Sequence, residues 1–313
     1  MAARALNSTS TFNTASGFSI PVVGLGTYLM TPEEADATTR YALGSAGYAH
    51  VDTAEVYKNE DGVGTAIASL GKPRSEIFVT TKLWPGNPTW GMPLKDSAAA
   101  AVQLDKQLAL LGVAYVDLYL VHAPFTFAAG DAAGLELWAG LLALKASGKC
   151  KAVGVSNYGV QHLQAIKDAG LELPSANQIE LHPLCQQSEI VAWCRANDVL
   201  PIAYSSLAPM AGWRVKADGE QQQSSKKGQH AALDVAVAAV AKRAGVAAAQ
   251  VLLRWALQKG YPILPKSVNT ARIDSNVDLF GFAITDGEMA AIDAAGATST
   301  GPMTWPNGMD PTK

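Results

Sequence analysis

The sequence is poor in charged residues and has no excess of either charge sign, and this excludes several classes of protein. Charged residues make up only 16% of the 313 positions and hydrophobic residues 49%, the reverse of the balance found in disordered chains. The 24 basic and 27 acidic residues leave a net charge of −3. A chain with this balance is not expected to bind nucleic acid or an acidic membrane surface.

Cysteine is also scarce, and the three that occur, Cys150, Cys185 and Cys194, form no C-x-x-C pair. A small, odd number of cysteines is typical of a reducing compartment, so we expect a cytoplasmic protein. The histidines show no H-x-x-x-H spacing. No metal site is therefore expected.

Long apolar runs are missing as well. The most apolar stretch, residues 231–257, is interrupted by Asp234, Lys242, Arg243 and Arg254, so it is not expected to span a membrane. The first ten residues contain no apolar segment of the kind found in secretory signals. We therefore expect neither a membrane span nor a secretory signal.

The sequence does contain a regular alternation of short apolar segments and longer segments with helical spacing. Strands are predicted at residues 20–27, 50–52, 77–82, 116–122, 151–155, 176–179, 200–204 and 262–265. Helices are predicted at residues 31–44, 59–70, 95–111, 134–146, 159–168, 188–196, 231–243, 247–258 and 270–277. Sustained alternation of this kind is typical of a parallel sheet with helices outside it. Eight units without a break in composition favour a single-domain α/β fold, the (β/α)8 TIM barrel.

The barrel domain is predicted to cover residues 12–313, after an N-terminal tail of residues 1–11. Three connections are too long for simple turns, at residues 84–94, 124–131 and 206–229, and a C-terminal loop follows at 296–313. All three connections come after strands. In a barrel they therefore lie on the face where active sites occur.

Three predicted strands end in a side chain that can take part in chemistry: Asp52, Lys82 and His122. Tyr57 follows in the loop that leads into the second helix, and consecutive strand ends of a barrel point into one mouth. The pKa of a tyrosine is about 10, and a neighbouring Lys lowers it by favouring the tyrosinate. The four side chains are therefore predicted to form a general acid that protonates a carbonyl oxygen, with His122 as a hydrogen-bond donor.

Several segments resemble the sequence signatures of the aldo-keto reductases. The first signature is similar to GYAHVDTA at 47–54, with Tyr57, Glu60 and Gly64 after it. The central one is similar to KAVGVSNY at 151–158, and the C-terminal one to LPKS at 264–267 with Arg272 and Asn276. LGTY at 25–28 and VHAP at 121–124 also fit. The resemblance runs collinearly from about residue 12 to the end of the chain.

The resemblance implies an NADP(H)-dependent carbonyl reductase that uses no metal and acts on small-molecule carbonyl compounds. In such an enzyme Tyr57 would donate the proton, Lys82 and Asp52 would tune its acidity, and His122 would orient the carbonyl group. The residues implied to contact the cofactor are Gly26, Thr27, Asp52, Ser156, Asn157, Gln178, Tyr204, Ser205, Leu207, Lys266, Ser267, Arg272 and Asn276.

These implied cofactor residues fall into three groups. Ser156, Asn157 and Gln178 would hold the nicotinamide carboxamide, and Tyr204 would stack on the nicotinamide ring. The group around Thr27 and residues 205–207 would line the path of the pyrophosphate and ribose. Cations at the last strand–helix junction suit a 2′-phosphate, which binds well to paired cations and a helix N-terminus. The polar loop 206–229 is predicted to be mobile and to close over the cofactor.

The substrate side of the mouth is predicted to be aromatic, which suits apolar or aromatic carbonyl compounds. Substrate contacts are expected from Tyr28, Tyr57, Trp84, His122, Phe125 and Trp305. Tyr28 stands where the family usually carries Trp, and this makes the pocket slightly more polar. Trp90 and Phe127 also fall in the long loops and are expected either at the pocket or packed within those loops.

The sequence and the resemblance are compatible with two functions of different classes. The first is a monomeric NADPH-dependent reductase of aldehydes and ketones. The alternative is a redox-sensing or regulatory protein on the same scaffold, which binds the cofactor without turnover as its main role. The complete set of four catalytic side chains favours the first.

Overall fold

The computed structural model of the protein describes residues 6–210, 213–215, 221–223, 230–297, 302–305 and 311–312. The chain begins with an antiparallel hairpin of β1 (Thr11–Asn13) and β2 (Ser19–Pro21). A parallel sheet of seven strands follows, and its neighbours are consecutive in the chain. These strands are β3 (Leu25–Gly26), β4 (His50–Asp52), β5 (Phe78–Leu83), β6 (Val116–Val121), β7 (Cys150–Ser156), β8 (Ala176–Glu180) and β9 (Leu200–Tyr204).

Residues 262–265 close this sheet into a barrel. Ile263 exchanges backbone hydrogen bonds with residues 22–24 on one side, at 2.8 and 3.0 Å, and bridges to Ala203 on the other. The predicted eighth strand is thus present as parallel bridges instead of a continuous ladder, because its two prolines have no N–H to donate. The predicted (β/α)8 barrel is confirmed, but its predicted first strand, 20–27, is divided between the hairpin and β3.

Helices cover the outside of the barrel. They are α1 (Pro32–Gly44), α2 (Glu60–Ser69), α3 (Ser97–Leu111), α4 (Asp131–Ala146), α5 (Val160–Asp168), α6 (Ser188–Ala196), α7 (Ala231–Ala244), α8 (Ala248–Gln258), α9 (Thr270–Val277) and α10 (Asp286–Gly296). Helix α1 begins as its sequence predicts, with Thr31 and Glu34 forming a capping box. The same motif, Thr285 with Glu288, starts α10, a helix that the apolar pattern did not predict.

The inside of the barrel is filled by apolar side chains from its strands. Leu118, Ile202 and Ala152 pack there with Ile20, which β2 inserts and which is fully buried. Phe18 packs against Phe78, the first residue of β5, with ring centroids 6.3 Å apart. The hairpin therefore covers the end of the barrel at which the strands begin, and leaves the opposite end for the site.

The long loops lie at that opposite end, where the strands finish. Within loop 206–229, β10 (Trp213–Val215) pairs with β11 (Gln221–Gln223). The predicted closure of this loop over a cofactor concerns residues 211–212, 216–220 and 224–229, which lie outside the described residues. Among the helices described, none alone has the length and apolar composition to cross a membrane, and only the bent pair α7–α8 meets those criteria jointly.

Candidate active site

The four side chains predicted to act together do meet at the mouth of the barrel. Asp52 is the last residue of β4, Lys82 lies next to the end of β5, and His122 directly follows β6. Tyr57 ends a short 3₁₀ turn between β4 and α2. The register pairs Asp52 with Thr80 and Lys82 with Leu120, so Lys82 lies two residues beyond the partner of Asp52, and His122 lies two residues beyond the partner of Lys82.

Lys82 is the centre of this group. Its Nζ donates to Asp52 Oδ1 at 2.5 Å, to the Thr53 carbonyl oxygen at 3.0 Å and to the Tyr57 hydroxyl oxygen at 3.4 Å. Its side chain is fully buried, and that of Asp52 is only 4% exposed. Gln178 Nε2 donates to the other Asp52 oxygen at 2.8 Å. The ammonium is therefore fixed with the phenol oxygen of Tyr57 within its reach.

Burial shifts both charged groups of this pair. It lowers the pKa of Lys82, against the opposing effect of Asp52. It also raises the pKa of Asp52, against the opposing effects of Lys82 and of the hydrogen bonds from Lys82 and Gln178. Each charge is thus kept in a poorly solvated place mainly by the other, and removal of one partner would leave the second uncompensated.

A second set of polar side chains, which sequence reasoning did not identify, lies behind Lys82. Gln107 Nε2 donates to the Lys82 carbonyl oxygen at 3.1 Å and to Glu60 at 2.8 Å. Tyr119 donates to Gln107 Oε1 at 2.8 Å, and Thr81 donates to Glu60. All are buried. This network fixes the backbone that carries Lys82, and its signal in the sequence was Glu60 of the first signature.

His122 stands against Tyr57 with ring centroids 5.6 Å apart and the planes at 74°. Its main-chain oxygen accepts from Asn157 Nδ2 at 2.9 Å, which fixes the backbone. Burial, and next the charge of Lys82, hold the pKa of His122 well below its usual range. The imidazole is therefore neutral at pH 7, so only one ring nitrogen carries a proton to donate.

The residues expected at the nicotinamide carboxamide form one connected network beside this group. Ser156 Oγ donates to the Gln178 carbonyl oxygen at 2.8 Å, and Asn157 Nδ2 donates to Ser156 Oγ at 3.0 Å. The Tyr204 hydroxyl donates to Asn157 Oδ1 at 2.7 Å. Asn157 has a φ of 63°, a left-handed conformation that asparagine tolerates better than most residues. The ends of β7, β8 and β9 are thus tied to the Asp52 carboxylate through Gln178.

The first loop of the barrel is held by Asn59, another residue that the sequence analysis did not single out. Its Nδ2 donates to the carbonyl oxygens of Thr27 and Met30 at 2.9 and 3.0 Å. Thr27 in turn donates to the Asp52 carbonyl oxygen. Gly26 lies in β3, where a Cβ would come within 2.8 Å of the Leu264 carbonyl oxygen, so its position serves barrel closure.

Residues 205–207 lie at the mouth after β9. Ser205 adopts a φ of 53°, and Leu207 packs against the main core. Between them the Ser206 hydroxyl is buried without a hydrogen-bond partner among the described residues. A polar group in that state is costly unless a ligand or water completes it. The segment expected along the pyrophosphate therefore offers a hydroxyl for such a contact.

The residues expected at the adenosine end cluster at the start of α9. Arg272 Nε contacts Ser267 Oγ at 3.3 Å, and Asn269 caps the helix by accepting from the Arg272 amide. Lys266 and Arg272 are exposed, and no carboxylate of the described chain lies within ion-pair distance of either. Asn276 is buried on the inner side of α9.

The acidic neighbours of this cluster do not neutralise it. The Tyr41 hydroxyl donates to the carboxylate of Asp274, and its oxygen lies 3.0 and 2.8 Å from Oδ1 and Oδ2. This hydrogen bond is the main reason that the pKa of Tyr41 is raised. The two cations therefore remain available for an anion at the N-terminus of α9.

Aromatic rings form one wall of the mouth. Trp84 contacts His122 and Phe125 with centroids 5.6 and 5.5 Å apart, and it stacks on Trp90 at 5.8 Å. Phe125 reaches Trp305 at 6.1 Å. Trp90 thus joins the pocket wall. On the other side, Tyr28 lies 5.1 Å from Tyr57 and is 42% exposed.

Phe127 does not belong to this wall, which corrects one of the two expectations for it. Its ring packs against Tyr158 and His162, at 5.8 and 5.3 Å, and it is nearly buried. The short 3₁₀ turn Phe127–Ala129 directs the side chain outward to α4, where Gly134 leaves room for the ring.

In the described part of the chain no three His, Cys, Asp or Glu side chains are placed to share a metal ion.

Comparison with known proteins gives consistent results over nearly the whole chain. The model of the Aldo/keto reductase family matches residues 22–297. An aldo-keto reductase of Mycobacterium sp. strain MCS is 39% identical over 278 residues, which cover 88% of this chain and 87% of that protein. Aldehyde reductase YPR1 of Saccharomyces cerevisiae is 35% identical, with 90% of this chain and 89% of that protein covered. The structure of a Bombyx mori aldo-keto reductase in complex with NADP matches with a TM-score of 0.76 and 30% identity, covering 93% of this chain and 94% of that one.

Proposed function

The chain belongs to the aldo/keto reductase family, and from this we propose that it reduces aldehydes and ketones to alcohols with NADPH. The observation that carries the proposal is the contact of the buried Lys82 ammonium with both Asp52 and the Tyr57 hydroxyl. Bound NADPH would supply the hydride. The residues of the mouth would bind the carbonyl compound and deliver the proton.

Tyr57 is the proposed proton donor. A carbonyl oxygen gains negative charge as hydride reaches its carbon, and a positioned acid that protonates it speeds such a reaction by about 10²–10⁴-fold. The Lys82 ammonium favours the tyrosinate left behind, so it makes Tyr57 a stronger acid. Asp52 keeps that ammonium charged and in place, and Gln178 holds the Asp52 carboxylate.

His122 is the proposed orienting residue. Its ring stands edge to face against Tyr57, so a carbonyl oxygen bonded to the Tyr57 hydroxyl lies next to the imidazole. A neutral imidazole donates one N–H without adding a second positive charge beside Lys82. The rings of Trp84 and Phe125 border the same space and exclude water from the apolar part of a substrate.

The residues present fit the proposed cofactor in three places. The Ser206 hydroxyl, which has no hydrogen-bond partner among the residues described, suits a pyrophosphate, and the polar network of Ser156, Asn157 and Gln178 suits a carboxamide. The exposed Lys266 and Arg272 at the N-terminus of α9 suit a 2′-phosphate, so NADPH is proposed over NADH.

Arg272→Ala is expected to raise the Kd for NADPH at least about tenfold and leave that for NADH nearly unchanged. A hydrogen bond to a charged group contributes about 1.5–3 kcal/mol, of which solvent screening removes a part at this exposed position. Fluorescence titration with both cofactors at fixed salt measures the effect. Arg243→Ala on α7 serves as the control for loss of an exposed arginine. Equal weakening of both cofactors by Arg272→Ala would mean that Arg272 does not select the phosphate.

The reaction itself is tested by NADPH consumption with a panel of aromatic, aliphatic and dicarbonyl compounds. Turnover of several members supports the proposal. Tight NADPH binding without turnover of any member would contradict it and favour the redox-sensing alternative.

We further propose that the protein acts as a monomer in the cytoplasm. Its three cysteines are free and buried, and size-exclusion chromatography with light scattering checks the mass in solution.

A further inference from the structure

We propose that Glu180 is a positioning residue that anchors the C-terminal segment 302–305 and thereby places Trp305 at the substrate pocket and against Tyr204. The anchor itself is a matter of structure, whereas its effect on substrates rests on the proposed reductase function. Neither the comparisons nor the sequence signatures assign a role to this side chain.

Glu180 occupies the same kind of position as the proposed catalytic residues. It is the last residue of β8 and is fully buried. Yet within the described residues no lysine or arginine pairs with it, and its carboxylate lies outside the Lys82 group. A buried carboxylate is costly unless its oxygens accept several hydrogen bonds, so its partners indicate what it is for.

Most of those partners come from the C-terminal segment. The backbone amides of Met303 and Thr304 donate to the two carboxylate oxygens at 2.6 and 3.0 Å, and the Thr304 hydroxyl donates as well. His182 Nε2 donates to Glu180 Oε1 at 2.9 Å from within the fold. Burial by itself would raise the pKa of Glu180, but the bonds from His182, Thr304 and Met303 outweigh it and lower the pKa. The carboxylate is thus ionised and binds three donors of one short segment.

This anchoring fixes the next residue, Trp305. Its indole Nε1 donates to the Tyr204 hydroxyl at 2.8 Å, and its ring meets Phe125 edge to face. The Tyr204 hydroxyl in turn donates to Asn157 Oδ1. A single side chain of the segment therefore contacts both the aromatic wall and the residues proposed to hold the nicotinamide. At the start of α5, Gln161 Nε2 donates to the Thr312 carbonyl oxygen at 3.0 Å, and Gly159 leaves room for that oxygen, since a Cβ there would lie 1.7 Å from it.

The consequence is a selective effect on substrates. An aromatic carbonyl compound fills the space bordered by Phe125 and Trp305, whereas a small aliphatic aldehyde needs only the region around Tyr57 and His122. Loss of the anchor should therefore raise KM for the aromatic compound and change kcat little. A favourable contact between two aromatic rings contributes about 0.5–1.5 kcal/mol, which corresponds to a change of about two- to tenfold in KM.

The test uses Glu180→Gln in the full-length enzyme, which keeps the shape of the side chain and replaces an acceptor oxygen by a donor. In the wild-type background we expect KM for an aromatic aldehyde to rise about two- to tenfold, and KM for acetaldehyde to change less than twofold. In a Trp305→Ala background the same substitution should have no further effect, because Glu180 acts through Trp305. Glu189→Gln, the same change at an exposed position of α6, is the control and should leave both values unchanged.

A second measurement does not depend on the reaction. Hydrogen exchange at the amides of Met303 and Thr304 should become at least about tenfold faster in Glu180→Gln, because their acceptor is weakened. Thr304→Val, which removes the hydroxyl donor of the half-buried Thr304 and leaves the barrel residues unchanged, should show a smaller acceleration. Unchanged exchange in both variants would overturn the anchor. Additive KM effects of Glu180→Gln and Trp305→Ala would overturn the route through Trp305. If the wild-type protein reduced no carbonyl compound, the proposed function would fail while the exchange measurement still decided the anchor.

Discussion

Tyr57→Phe is expected to lower kcat for carbonyl reduction by about 10²–10⁴-fold and leave NADPH binding within about twofold of wild type. The substitution removes the hydroxyl proposed to transfer the proton and keeps the ring, which packs against Tyr28 and His122. Tyr57 is not among the residues proposed to contact the cofactor, which lie at the ends of β3, β4, β7, β8 and β9 and at α9. Steady-state kinetics and fluorescence titration on the same preparations measure both quantities.

Tyr28→Phe is the matched control for this result. It deletes the hydroxyl of a second tyrosine, whose ring centroid lies 5.1 Å from that of Tyr57, and it leaves Lys82 unchanged. We expect its kcat to stay within about tenfold of wild type, since Tyr28 is proposed only to border the substrate and no proton-transfer factor is lost. Comparable losses in the two variants would show that the hydroxyl of Tyr57 has no special role. Near-normal turnover of Tyr57→Phe would refute the assignment of the acid.

Lys82→Met is expected to lower both activity and stability. Breaking a buried ion pair by removal of one partner typically costs about 3–5 kcal/mol of unfolding free energy. Asp52 would then lose the charge that lowers its pKa and would take up a proton instead of remaining a buried anion. Turnover should fall by about 10²-fold or more, because Tyr57 loses the cation that makes it a stronger acid. Urea unfolding and kcat are the two measurements.

The double variant Lys82→Met/Asp52→Asn separates these two effects. It removes both charges, so no buried carboxylate is left unpaired, and part of the lost unfolding free energy should return. Activity should stay as low as in the single variant, because the missing ammonium is what acts on Tyr57. Recovery of turnover together with stability would mean that Lys82 serves the fold alone.

Local rules were enough to predict most elements of the barrel from the sequence. Caps and glycine stops located α1 and α3 within a residue or two, since these signals act on the chain near them. The last strand, residues 262–265, was predicted as a continuous strand but forms only isolated bridges, because its prolines cannot donate the hydrogen bonds of a ladder. Helix α10 was not predicted although Thr285 and Glu288 form a capping box, because it buries only Ile292 and Gly296 and its sequence therefore carries little of an apolar face.

In the site, too, the features set by topology could be predicted from the sequence, and those set by tertiary packing could not. Strand ends in a barrel face one mouth, so the meeting of Asp52, Lys82 and His122 followed from topology alone. The rotation of individual rings depends on tertiary packing, and this is why Phe127 was offered as a pocket residue. Glu180 also lies at the end of a strand, but this position alone does not predict what its carboxylate binds. The partners that make it an anchor, Met303 and Thr304, lie 123 and 124 residues away, and no local pattern reveals such a contact.

The most direct test of the proposed reaction follows a labelled hydrogen. NADPH is prepared with deuterium at C4 of the nicotinamide, on one face or on the other, and an aldehyde that the enzyme turns over is reduced with each. We predict that the product alcohol carries one deuterium on its carbinol carbon with one of the two cofactors and none with the other. A product in which that hydrogen comes from solvent would contradict hydride transfer from NADPH. Equal labelling from both faces would instead contradict a single fixed orientation of the nicotinamide in the site.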